Sequence, residues 1–112
     1  MLKIGVLGAG HLGRIHLKLL KSIEGYEVVG FYDPDDTNSN KAIAEHGVAR
    51  FSTAEDLIDA VDVVDVVTPT VSHFDSAVKA IKRSKHVFIE KPVTATAEEA
   101  RNLISLADEA DV

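Results

Sequence analysis

No cysteine occurs anywhere in the 112 residues, so a disulfide framework, a thiolate nucleophile and a sulfur metal site are all excluded. That absence fits the cytosol, and a cytoplasmic location is the expectation. Tryptophan is also missing, and aromatic residues are few. Basic residues are outnumbered, 12 Lys and Arg against 18 Asp and Glu, which leaves a formal charge of −6. A chain of that balance has no general affinity for nucleic acid or for an anionic membrane surface. It can still hold an anionic ligand, because backbone N–H groups supply local positive potential. No apolar run reaches a membrane-spanning length. Leu2–Leu7 is also too short for the apolar part of a signal peptide and runs directly into glycines. No repeat, low-complexity tract or long linker divides the chain, so residues 1–112 are expected to form one domain.

The few glycines are concentrated where they carry information. The apolar run Leu2–Leu7 reads as a strand, and Gly8-Ala9-Gly10-His11-Leu12-Gly13 follows at the spacing G-x-G-x-x-G. A helical pattern begins at once and extends to about Ile23, with Leu12, Ile15, Leu19, Leu20 and Ile23 as its expected apolar stripe. This order is the dinucleotide-binding fingerprint. Gly8 permits the tight turn, Gly10 lets a pyrophosphate approach the backbone, and Gly13 lets the helix pack closely. The helix N-terminus then presents free N–H groups and a positive dipole end to phosphates, with the His11 N–H among them. Asp33 lies twenty residues beyond Gly13, at the end of the second apolar run, Glu27–Tyr32. There a carboxylate can accept hydrogen bonds from the adenosine ribose. Asp35 and Asp36 add negative charge, and this turn contains no lysine or arginine. NAD is therefore expected over NADP, because a 2′-phosphate would be repelled.

Strands and helices continue to alternate, which predicts parallel βαβ units. A helix is expected over Thr37–His46, closed by Gly47, then a very short third strand at Val48–Phe51. Ser52-Thr53-Ala54-Glu55 has the form of a capping box before a short helix through Leu57 and Ile58. Val61–Thr68 reads as a central strand buried on both faces. Asp62 and Asp65 contradict that reading unless each lies near a strand end or accepts a hydrogen bond. A helix is expected over Ser72–Arg83 with Phe74, Ala77, Val78 and Ile81 inward. A fifth strand, His86–Ile89, follows, and Thr96-Ala97-Glu98-Glu99 opens a last helix with Ala100, Leu103, Ile104 and Ala107 inward. The fold class is α/β: a doubly wound, mostly parallel sheet of about five strands ordered 3-2-1-4-5. The fifth strand would then be an open edge, with room for a partner chain or a homo-oligomer.

In such sheets the ligand crevice lies at the carboxyl ends of the strands. Thr68-Pro69-Thr70 leaves the central strand there, with His73 close behind, and Glu90-Lys91-Pro92 leaves the fifth strand. A strand-ending turn with a helix cap explains the first segment equally well. Pro92 restricts Lys91 to an extended conformation. Lys91 could orient a substrate hydroxyl or move its proton, or be an ordinary loop lysine. Among the other histidines, His16 reads as a satisfied core residue, and His46 and His86 as structural. No spacing suggests a metal site.

These segments together resemble the N-terminal domain of the glucose-fructose oxidoreductase/inositol dehydrogenase/MocA family (Gfo/Idh/MocA) over essentially the whole chain. The resemblance rests on Gly8–Gly13 with His16, on Asp33, on Asp62–Thr70 with His73, and on Glu90-Lys91-Pro92 with Thr94. It implies a Rossmann domain that binds NAD(P). Its implied cofactor contacts are Gly8, Gly10, His11, Leu12, Gly13, Asp33, Thr68, Pro69, Thr70, His73, Glu90 and Lys91. Lys91 is the implied catalytic residue beside the nicotinamide. The reaction implied is hydride transfer between nicotinamide and a sugar, polyol or related hydroxyl compound. Relatives carry a second domain that supplies substrate contacts and a catalytic histidine. That domain is absent from these 112 residues, so this chain alone is expected to bind NAD(H) without turning over a polyol. Many relatives have Pro or Asn at Thr70 and Gly at Ser84. A free-standing NAD-binding sensor or partner module is the alternative. A methyltransferase using S-adenosylmethionine fits less well, because Val6-Leu7 offers no acid before the first glycine.

Overall fold

The computed structural model describes all 112 residues. Four parallel strands form one sheet, β1 (Leu2–Leu7), β2 (Tyr26–Tyr32), β3 (Val63–Val66) and β4 (His86–Ile89), in the order β2-β1-β3-β4. The helices are α1 (His11–Leu20), α2 (Asp36–His46), α3 (Ala54–Asp59), α4 (His73–Lys82) and α5 (Ala97–Ala110). A single 3-10 turn, Thr70–Ser72, precedes α4. No helix is long and apolar enough to cross a membrane. The expected third strand is reduced to one parallel bridge, Phe31 to Arg50, beside β2. With that bridge counted, the sheet has the doubly wound order expected from the sequence. β4 pairs only with β3 and is an edge.

Alternation along β1 divides the core. Val6 packs with Leu17 and Ala42 on the α1/α2 side, whereas Leu7 packs with Leu57, Ile58 and Ala80 on the α3/α4 side. In β2 the strict period of two fails. The register with β1 slips between Ile4 and Gly5, where Ile4 faces Val28 and Gly5 faces Gly30. The extra residue, Val29, puts Val28 and Phe31 on the same side of the sheet despite their odd spacing. Gly5 leaves room for α3, since a Cβ there would lie 2.6 Å from Leu57.

Several helix boundaries and faces differ from the sequence expectation. α1 ends at Leu20, not Ile23, and buries Gly13 and Leu17. Leu12, Ile15, Leu19 and Ile23 are exposed, and Leu20 is only half-buried. The glycine decides this. The side without a Cβ can come closest to the sheet, and Leu17, one turn on, follows it inward. α3 is capped by Thr53, which accepts from the Asp56 N–H, one residue later than the expected box. α5 is capped as expected by Thr96, which accepts from the Glu99 N–H. Leu103 is buried in α5, whereas Ile104 points outward. Ser84 ends the α4 segment with φ 58°, a left-handed conformation that favours glycine.

Candidate cofactor site

The carboxyl ends of β1, β2 and β3 surround a cleft of about 680 Å3. Gly8 forms its floor with φ 98°, so close to β3 that a Cβ would lie 2.6 Å from the Val67 carbonyl oxygen. Gly13 meets the loop itself: its Cβ would lie 1.9 Å from the Gly8 carbonyl oxygen. At Gly10 a Cβ would meet nothing within 4 Å, so that side is open to a ligand. Gly10 is the N-cap of α1 and supplies no side-chain acceptor, and the first turn holds no acid. The first N–H groups of a helix lack intrahelical partners, and here nothing negative competes for them. The cradle therefore offers open space and unpaired N–H donors on one side of the cleft.

Asp33 lines the cleft next to the glycine loop. It is buried, and its two oxygens accept from the Ala9 N–H at 2.7 Å and the Asp35 N–H at 2.8 Å. The carboxylate therefore ties the glycine loop to the β2 turn and retains lone pairs for further donors. Arg50 also reaches this turn. It donates to the Asp33 carbonyl oxygen at 3.1 Å and pairs with Asp36 at 2.9 Å. The local sequence of the turn contains no cation, but the strand bridge brings one, compensated by Asp36.

Gly8, Gly10, His11, Leu12, Gly13, Asp33, Thr68 and Pro69 all border the cleft. Thr70, His73, Glu90 and Lys91 do not. Thr70 begins the 3-10 turn just beyond the wall. His73 is buried behind it, with Nδ1 2.8 Å from the Pro92 carbonyl oxygen and Nε2 2.8 Å from that of Thr68. It lies between the Thr68-Pro69 segment and the Lys91-Pro92 turn, whose connecting peptide is cis, and its ring N–H can donate to either carbonyl. Lys91 is exposed, and none of the seven ion pairs involves it. Ser72, Ser76 and Lys79, not among the residues expected from the sequence to meet the cofactor, line the cleft from the α4 side. Their spacing along one helix face, following Thr68-Pro69, was the available signal. Lys79 pairs with Glu55 at 2.9 Å and holds that carboxyl below its ordinary value.

A cluster of three titratable side chains lies beside the cleft. His16 is not merely a packed core residue: Nδ1 is 2.7 Å from Asp65 Oδ2 and Nε2 is 3.0 Å from Glu90 Oε2. Burial pulls the His16 pKa down, but hydrogen bonds and charge from Asp65, then Glu90, outweigh it and raise it. Burial raises Asp65, only partly offset by His16. Glu90 is held below its ordinary value by the Lys91 N–H and then by His16.

The chain is similar to known proteins over essentially its whole length. The family model described as "Oxidoreductase family, NAD-binding Rossmann fold" (Gfo/Idh/MocA) matches residues 2–112. Glucose-6-phosphate 3-dehydrogenase of Bacillus subtilis is 35% identical over 112 residues, covering all of this chain and 32% of the relative. The structure of UDP-N-acetylglucosamine 3-dehydrogenase GnnA from Acidithiobacillus ferrooxidans superposes with TM-score 0.92 at 36% identity, over 99% of this chain and 36% of that one. GenD2 from gentamicin A biosynthesis, in complex with NAD, superposes with TM-score 0.91 at 26% identity, over 99% of this chain and 32% of that one. The chain spans about a third of the length of the curated relatives it matches.

Proposed function

The chain belongs to the Gfo/Idh/MocA oxidoreductases, and we propose that it is the NAD(H)-binding part of an enzyme that moves hydride between nicotinamide and a hydroxyl-bearing carbon of a sugar or polyol. The observation that carries the choice of NAD is the ribose end of the cleft. Asp33, Asp35 and Asp36 stand there against one guanidinium, Arg50, which is already paired with Asp36. An added 2′-phosphate would meet a net negative turn. Gly8, Gly10, His11, Leu12 and Gly13 cradle the pyrophosphate, Asp33 takes the ribose hydroxyls, and Thr68 and Pro69 line the path toward the nicotinamide. When bound, the cofactor supplies the hydride acceptor or donor. Lys91 follows the carboxyl end of β4, outside the cleft, with its ammonium in no ion pair, and its role is to orient a substrate hydroxyl and exchange its proton. The names of the relatives, dehydrogenases of a sugar phosphate and a nucleotide sugar, support the substrate class.

Fluorescence titration of the chain with NADH and NADPH tests this reading. NADH should bind at least tenfold more tightly. Equal or tighter NADPH binding would refute the assignment of the aspartate turn. The chain alone should show no polyol-dependent formation of NADH.

A further inference from the structure

Asp65 is an improbable residue for its position. It lies in β3 among Val63, Val64 and Val66, all buried. One of its oxygens, Oδ1, is buried without any hydrogen-bond partner. Apolar residues of similar volume usually serve stability as well as a buried ion pair, or better. The carboxylate is therefore better explained by what it holds. Its other oxygen holds His16 on α1 at 2.7 Å, and His16 reaches Glu90 at 3.0 Å. Glu90 in turn accepts the Lys91 N–H through Oε1 at 3.1 Å. Carboxylates only accept, so a ring bonded to both must donate from both nitrogens.

We propose that Asp65, His16 and Glu90 form a positioning relay for Lys91: Asp65 fixes the His16 imidazolium, His16 fixes the Glu90 carboxylate, and Glu90 fixes the backbone from which the Lys91 side chain projects. The inference rests on the role assigned to Lys91 above, and it makes Glu90 a positioning residue, not a cofactor contact. It also links the helix that cradles the phosphates to the turn that carries the lysine. His16 is faced by Asp65 from β3 and Glu90 after β4, with Tyr26 of β2 lining the same groove and Lys91 adjoining Glu90. When the imidazolium loses a proton, one ring nitrogen can no longer donate. The shorter, more buried bond to Asp65 is kept, and Glu90 is released.

Isotope-labelled 112-residue chain provides the test by NMR. In the wild type, the Lys91 amide resonance should shift with the same midpoint as the His16 ring. A Lys91 amide that ignores His16 titration would overturn the relay. Two variants separate positioning from simple packing. The amide of Gln reaches the place of Nε2, so His16→Gln should keep the bonded Lys91 resonance and lose its titration. The amide of Asn reaches the place of Nδ1, so His16→Asn should keep the bond to Asp65 and show the released Lys91 resonance at every pH. Identical Lys91 resonances in the two variants would refute the proposal. If neither variant folds, the wild-type titration decides alone. NADH titration of the same sample tests the cofactor reading independently: no binding would overturn that reading, whatever the Lys91 amide does.

Discussion

Replacing Gly13 by alanine sets two consequences of one atom against each other. The new Cβ would lie 1.9 Å from the Gly8 carbonyl oxygen, and real Cβ contacts do not fall below 3.0 Å, so the first turn of α1 must retreat by about 1.1 Å. Overpacking of this kind costs about 1–3 kcal/mol. Alanine returns about 1 kcal/mol through its better helix propensity. The net loss of stability should therefore stay below about 2 kcal/mol, a fall of roughly 10 °C or less in melting temperature. Ligand binding has no such compensation. Moving the N–H groups by about an ångström takes a hydrogen bond from about 2.9 Å to beyond the range in which it forms. One lost hydrogen bond to a charged phosphate is worth about 1.5–3 kcal/mol, which is about 10- to 150-fold in Kd. Thermal melts and NADH titrations of Gly13→Ala measure both terms. Gly10→Ala is the comparison: its Cβ meets nothing within 4 Å, so it should cost stability only about 0.5–1 kcal/mol through the cap while still obstructing the phosphate. A Gly13→Ala chain that binds NADH within about twofold of wild type would refute the placement of the pyrophosphate on α1.

Other perturbations follow from the same contacts. Asp65→Asn should lower the His16 pKa, since the principal group raising it loses its charge; ring titration by NMR reads this, and an unchanged His16 would contradict the pairing. Because His16 and Asp65 both have raised pKa values in the folded chain, their proton-linked stability is present at low pH and lost as pH rises. For His16 that contribution is full below 6.5, its ordinary value, and disappears as pH rises through the raised folded value. The urea midpoint should accordingly fall across this range in the wild type and less so in His16→Gln. Ser84→Gly should raise the melting temperature by a few degrees, worth about 0.5–1 kcal/mol, because φ is 58° at that residue. A lower melting temperature would show that the serine earns its place by another contact.

What could be read in the sequence was governed by rules that act over a few residues. The turn at Gly8, the open N-cap at Gly10, the Thr96 cap and the carboxylate at the end of β2 each depend on neighbours within a turn or a strand. The alternation of strands and helices carried the sheet order with it, because parallel crossovers have one hand. Less visible was the face α1 would bury. Its apolar stripe pointed one way, and the tight contact at Gly13 turned it another.

The sequence by itself determined the glycine cradle, the aspartate turn and the delivery of Thr68-Pro69 and Glu90-Lys91 to one edge of the sheet. Tertiary structure alone decided that Asp33 braces the loop it was expected only to serve, that Arg50 reaches its turn, and that His16 joins Asp65 and Glu90. Those last partners are separated from His16 by 49 and 74 residues. No periodicity or motif specifies a contact at that distance. It exists because β1, β3 and β4 lie side by side, and a buried carboxylate beneath α1 needs a donor that only the helix above it can provide.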